Sequence, residues 1–262
     1  MKAIALMISV ACMSFSYAST ADTITITVVY NNVPYDNNLE TSWGLSVLIE
    51  GLSDTILFDT GGDGSILLSN LAKLEIPAQS IETIVLSHIH MDHIGGLKEL
   101  LKQHNEVTVY VPSSFPDEVI SSTEEAAHFV NVVDTAQKVC DCVWTTGELG
   151  ESIKEQSLVI TTEQGLIVIT GCAHPGIVNI VRFCKEHMHK DIYLVMGGFH
   201  LMAYQDSQVN EMINELRQLE VRKIAPSHCT GGRPIELFHK AWQDDFIDLG
   251  CGAQIRIPLN YE

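Results

Sequence analysis

Ser87-His88-Ile89-His90-Met91-Asp92-His93-Ile94-Gly95-Gly96-Leu97 lies where an apolar run, Ile81 to Leu86, gives way to a segment of helical spacing over 96–104. Three histidines and one aspartate fall within residues 88–93. On a loop leaving a buried strand, side chains two apart can both turn inward. His88 and His90 are therefore candidates for one cation, while Asp92 and His93 reach a second nearby. Neutral imidazole and carboxylate suit zinc, with iron or manganese as alternatives. Gly95 and Gly96 are expected to let the backbone pass close to the metals and to open the next helix.

Outward from this stretch, the chain opens with β signals. Thr23 to Tyr30 is rich in β-branched residues, and Trp43 to Ile49 and Thr55 to Phe58 read as further strands of an antiparallel meander. Helices and strands then alternate: a helix over Ser65 to Leu74, a strand over Ile81 to Leu86, a helix over Gly96 to His104 and a strand over Val107 to Val111. The second half repeats the style, with strands near 157–162, 165–170, 192–196 and 222–225 and helices at 176–187 and 207–218. Two such halves fit an α/β protein of four layers, αββα, with two sheets face to face and helices outside. Residues 116–156, acidic and without regular apolar spacing, are expected to form a lid or an irregular insertion. No repeat or linker divides residues 19–262, which read as one domain.

With 46% hydrophobic residues, the 262-residue chain has ample material for a packed core. Its 15 Lys+Arg against 33 Asp+Glu give a net charge of -18, which repels nucleic acid and anionic membranes and leaves a small molecule as the expected partner. Lys2, the apolar run Ala3 to Phe15 and then Ser16-Tyr17-Ala18 read as a signal peptide over residues 1–18. The chain is therefore expected to be exported, periplasmic or secreted, without stable membrane insertion. Beyond residue 18 there are six cysteines, Cys140, Cys142, Cys172, Cys184, Cys229 and Cys251. They either pair in an order the sequence does not select or stand as small buried apolar groups. The sequence does not indicate an oligomeric state.

His-x-His-x-Asp-His followed by Gly-Gly after an apolar strand resembles the signature of the metallo-β-lactamase superfamily. Further landmarks follow in that family's order: Phe58-Asp59-Thr60-Gly61, Thr170-Gly171-Cys172-Ala173-His174-Pro175-Gly176 and Pro226-Ser227-His228-Cys229-Thr230-Gly231. The resemblance implies the metallo-β-lactamase fold and two divalent metal ions. His88, His90 and His174 would hold the first ion, and Asp92, His93 and His228 the second, with Asp59 supporting the loop by hydrogen bonds. Most two-metal members carry a bridging aspartate after the penultimate strand, whereas this chain has Met196-Gly197-Gly198-Phe199-His200-Leu201. His200 then either binds one metal, lines the pocket as a substrate contact or proton donor, or stands beside a bridge made by water alone. Cys172 is displaced from the position where one lactamase class uses a cysteine ligand. The combined motifs are most similar to the branch of ribofuranosylaminobenzene 5′-phosphate synthase-like and dihydropterin-linked proteins.

The function expected from this reading is a metal-dependent hydrolase that turns a metal-activated water on an ester-like or phosphoester centre. Asp92 would orient the nucleophile and His200 protonate the leaving oxygen. Arg233 is a candidate for an anionic substrate group, or else a surface arginine at a helix start. The alternatives are a 7,8-dihydropterin-6-yl-methyl-4-(β-D-ribofuranosyl)aminobenzene 5′-phosphate synthase-like transferase and a metal-retaining binding protein without turnover.

Overall fold

Alternating β-branched residues start the fold: in Thr23–Asn31 (β1), Ile24, Ile26 and Val28 face one way into the core while Val29 and Tyr30 face the other after a bulge. A computed structural model describes residues 23–258, so the expected signal peptide at 1–18 lies outside the described residues. β1 pairs antiparallel with Leu45–Glu50 (β2), and β2 with Ile56–Phe58 (β3). The chain then winds through helix Gly64–Lys73 (α1), strand Thr83–Val85 (β4), the short helix Met91–Ile94 (α2), helix Leu97–Gln103 (α3) and strand Thr108–Pro112 (β5). Helix Asp117–Ala126 (α4) and strand Phe129–Val133 (β6) complete this half, with β3, β4, β5 and β6 all parallel.

A single residue, Asp134, separates β6 from Thr135–Cys140 (β7), the edge of a second sheet. Val143–Gly147 (β8), Leu158–Thr162 (β9) and Gly165–Thr170 (β10) continue it antiparallel. Helix Ile177–Met188 (α5), strand Ile192–Gly198 (β11), helix Asp206–Gln218 (α6), strand Lys223–Ser227 (β12) and helix Gly232–Trp242 (α7) follow. β10, β11 and β12 are parallel, and Gln254–Pro258 (β13) returns to pair with β1. The first sheet runs β13-β1-β2-β3-β4-β5-β6 and the second β12-β11-β10-β9-β8-β7.

Three apolar clusters define the four expected layers. Between the sheets lie Val47, Phe58 and Val85 from one side and Ile160, Ile167, Ile169 and Met196 from the other. Leu67, Leu71, Leu97 and Leu100 of α1 and α3 pack on Leu48, Leu57 and Ile84 of the first sheet. On the far side Ile180, Val181, Ile213 and Phe238 of α5, α6 and α7 cover Leu166, Val168 and Val195. Strands covered on both faces are apolar throughout, as in β10, where every residue is buried.

The expectation of an irregular insertion at 116–156 is corrected. That segment carries α4, β6, β7 and β8, and it supplies an edge strand to each sheet. Edge strands lack a covered outer face, so their apolar pattern is blurred: Phe129 is 58% and Val132 43% exposed. All six cysteines of the described residues are free. No helix among the described residues is long and apolar enough to cross a membrane.

Candidate metal centre

Every expected ligand lies just beyond the C-terminal end of a parallel strand. Asp59 follows β3, His88 to His93 follow β4, His174 follows β10, His200 follows β11 and His228 follows β12. The ends of parallel strands are where backbone groups and loop side chains of an open α/β sheet become free to meet a ligand. Here the ends of two such blocks, one in each sheet, point to one place.

The donors gather in two groups. The ligand atoms of His88, His90 and His174 lie within 4.8 Å of one another. So do those of Asp92, His93, Cys172 and His228, and Cys172 also groups with His174 and His200. The six expected ligands are thus brought together, and Cys172 joins them.

Fixed hydrogen bonds aim the rings. Asp59 is fully buried; its Oδ1 accepts from the Ser87 backbone N–H at 2.7 Å, and its Oδ2 accepts from Ser87 Oγ at 2.7 Å and His93 Nδ1 at 2.7 Å. A carboxylate only accepts, so the His93 proton sits on Nδ1 and the Nε2 lone pair turns into the cluster. Ser87 gives its proton to Asp59 and therefore accepts from His88 Nδ1 at 2.8 Å, which leaves His88 Nε2 free to face His90 Nδ1 at 3.1 Å. His228 Nδ1 donates to Asn32 Oδ1 at 2.6 Å. Its Nε2, and the Nε2 of His174, are buried and have no hydrogen-bond partner among the described residues. Buried polar atoms are rarely left so. Two orphaned imidazole nitrogens aimed into clusters of further donors fit divalent cations, and the mixed N, O and S set fits zinc chemistry.

Burial, followed by the fields of His93 and His174, drives His88 well below the ordinary histidine range, and burial together with His200 and His90 lowers His174 to about 4. Burial alone would raise the Asp92 carboxyl, but the imidazoles of His228 and His93, 3.3 and 3.5 Å from its Oδ2, outweigh it and hold Asp92 below the usual carboxylate range. His88 and His174 are thus held as neutral imidazole and the second group carries a carboxylate, the forms that bind cations.

A second buried carboxylate anchors the other side. Glu155 Oε1 accepts from the backbone N–H of Gly171 at 3.0 Å, Cys172 at 2.9 Å and Ala173 at 2.9 Å, and Oε2 from that of His174 at 2.9 Å. Its neighbour Gln156 donates its backbone N–H to Ser87 O at 2.9 Å and its Nε2 to Leu86 O at 2.7 Å. Residues 155–156 therefore tie the loop after β10 to the loop after β4. Sequence reasoning missed Glu155, which lies in the stretch read as irregular. Its only signal is an acidic residue directly before a buried strand.

Three expectations take a more definite form. Gly95 and Gly96 let the ligand loop pack against the backbone of residues 60–62 and Gly96 caps α3: a Cβ on Gly95 would collide with Gly62 O, and one on Gly96 with Thr60 O. Arg233 pairs with two carboxylates on the surface, Asp206 at 2.6 Å and Glu236 at 2.9 Å, so its charge is already met outside the cluster. His200 keeps company with His174, ring centroids 4.4 Å apart, and though exposed it also shares a 4.8 Å group with His174 and Cys172, one donor from each of the two groups. Cys229 and, more weakly, the charges of Glu155 and Asp92 raise its pKa against the effect of burial.

Comparison with known proteins agrees with this architecture. Residues 44–119 match the family model described as the metallo-beta-lactamase superfamily. The 7,8-dihydropterin-6-methyl-4-(beta-D-ribofuranosyl)-aminobenzene-5'-phosphate synthase of Methanocaldococcus jannaschii is 30% identical over 85% of this chain and 92% of its own length. The crystal structure of Tm1679, a metal-dependent hydrolase of the beta-lactamase superfamily, is 26% identical with a TM-score of 0.76, covering 90% of this chain and 99% of that one. YhfI of Bacillus subtilis, 16% identical with a TM-score of 0.68 over 90% of this chain and 99% of that one, shares the fold. The chain belongs to the metallo-β-lactamase superfamily.

Proposed function

We propose that the chain is a metal-dependent hydrolase acting on an ester-like or phosphoester bond of a small molecule. The observation that carries this reading is the three-histidine group of His88, His90 and His174, which brings three imidazole donors within 4.8 Å of one another beside the exposed His200, a set that would hold a catalytic cation. Two divalent cations, zinc first, would supply Lewis-acid charge to a reacting oxygen and lower the pKa of water there.

The chain's own groups do the rest. Asp92, held ionised by His228 and His93, accepts a hydrogen bond from the attacking water and orients it. His200, at the mouth beside His174, donates a proton to the leaving oxygen. Asp59 and Glu155 keep the two ligand loops from relaxing as charge shifts. A cleft of about 510 Å³, lined by Leu149, Glu151, Ser152, His174 and Pro175, gives a small substrate room beside the first group.

A second reading, transfer to an acceptor other than water, is supported by the synthase relative at 30% identity. Metal-loaded protein should be offered lactone, phosphodiester, phosphomonoester and β-lactam substrates in isotopically labelled water. Hydrolysis predicts label in the product and loss of turnover in His90→Ala. Turnover without label means transfer, and full turnover by metal-free protein would end both accounts.

A further inference from the structure

The structure assigns Cys172 as a direct ligand of the second cation, completing an Asp92–His93–Cys172–His228 set. The assignment rests on the two-cation reading of the cluster and is independent of which reaction the centre performs. Its sulfur lies 3.2 Å from His93 Nε2, the nitrogen that Asp59 leaves unprotonated. It also shares a 4.8 Å group with Asp92 and with the orphaned, fully buried Nε2 of His228. A sulfur placed among three converging donors, one of them a buried nitrogen with no hydrogen bond among the described residues and only the Asp92 carboxylate 3.3 Å away, occupies a ligand's position.

Two further features keep it there. Glu155 holds the four consecutive backbone N–H groups of residues 171–174, so the Cys172 Cα cannot drift. Gly198 ends β11, in the region where the resemblance places a bridging carboxylate that this chain lacks. A Cβ on Gly198 would collide with Gly171 O, lie 2.7 Å from Cys229 Sγ and 3.3 Å from Cys172 Cα. A side chain at 198 would displace the Cys229 thiol and press on the Cys172 backbone, and this chain has none there.

The two positions then differ in kind. The first ion would be held by three imidazoles, and the second by four protein donors including a thiolate, a set that favours zinc, cobalt or cadmium over manganese or magnesium. The second ion should be the one retained, and the first the one that exchanges.

Cobalt(II) titration of metal-free protein tests this. The expected result is two bound ions, the tighter one giving a near-ultraviolet thiolate-to-cobalt charge-transfer band. Cys172→Ser should lose the band and weaken that ion by more than about 100-fold, the upper end of what loss of a mere supporting partner costs. Cys229→Ser should keep both. Should Cys172→Ser fail to fold, X-ray absorption of the zinc-loaded wild type decides, with a sulfur neighbour at about 2.3 Å expected. A band lost in Cys229→Ser instead, or two bound ions with only nitrogen and oxygen neighbours, overturns the assignment alone. Absence of any bound ion overturns it together with the two-cation reading.

Discussion

Asp59 shows how much one side chain does in this centre. Three donors converge on it at 2.7 Å, and its own backbone has a φ of 60°, a left-handed conformation that a non-glycine residue adopts at a cost of about 1 kcal/mol or more. Ala173, His200 and His228, also in ligand loops, share that conformation, with φ of 58°, 54° and 53°. The strain is held by the hydrogen bonds around it. Asp59→Asn would turn an amide N–H against one of the three donors. The metal-free protein should lose about 2–3 kcal/mol, the range for a hydrogen bond to a charged group, and metal affinity should fall 10–100-fold by the general precedent for supporting partners. Denaturant unfolding and competition with a chelator measure the two effects; unchanged values in both would remove Asp59 from this role. Glu155→Gln is a milder case. Oε1 can keep its three donors, while the new amide faces the His174 N–H and leaves it unpaired, at a cost of about 1–3 kcal/mol read from thermal unfolding.

At the scale of elements, α2 and α3 sit directly on the backbone of residues 60–62, and glycines permit it. Gly96→Ala forces its new methyl group into Thr60 O, which should destabilise by about 1–3 kcal/mol as overpacking does and loosen Asp92 and His93 with it. Gly232→Ala, at the start of α7, meets nothing within 4 Å and should stabilise by up to about 1 kcal/mol through helix propensity. Comparing the unfolding midpoints of the two variants checks the pair; equal midpoints would mean that the α2 contact is not tight. The same elements show what sequence could disclose. β1, β9 and β10 have β-branched runs that a two-sided core demands, and the His88–His93 turn carries its ligands side by side, so both were legible. β6 and β7 were not, because an edge strand with exposed Phe129 and Val132 carries no clean period. Glu155 and Cys172 were not for another reason. Their roles exist only once β10 lies beside β11 and the strand ends of both sheets face each other, a contact between residues far apart in the chain. α7 was met only as a helix start at Arg233, and β13 was passed over because its alternation, with Ile255 and Ile257 buried, spans only five residues.

Across the whole molecule, two sheets joined at one site make the response to acid a property of the fold. His174, with a folded pKa of about 4 against an ordinary 6.5, takes up its proton more readily when the chain unfolds. Its contribution to stability is present above pH 6.5 and lost as pH falls through about 4, and His88 acts in the same direction. Glu155 opposes them. Burial raises its pKa to about 7 in spite of four backbone donors, so the folded chain binds that proton more tightly, and its contribution is present below 4.5 and lost as pH rises through about 7. Between pH 6.5 and 4.5 His174 and His88 both lose stability on acidification while Glu155 regains it, so the metal-free wild type should fall by the linkage of about one proton, up to about 1.4 kcal/mol per pH unit. Glu155→Gln removes the compensating proton. Its stability should then fall on acidification more steeply than wild type, by up to about 1.4 kcal/mol per pH unit. Denaturant midpoints of both proteins from pH 7 to 4 test this, and parallel pH profiles would mean that Glu155 is ionised throughout. In the metal-loaded protein, protons compete with cations for His88 and His174, so the ion of the first group should leave at a higher pH than the one held by Asp92, Cys172 and His228.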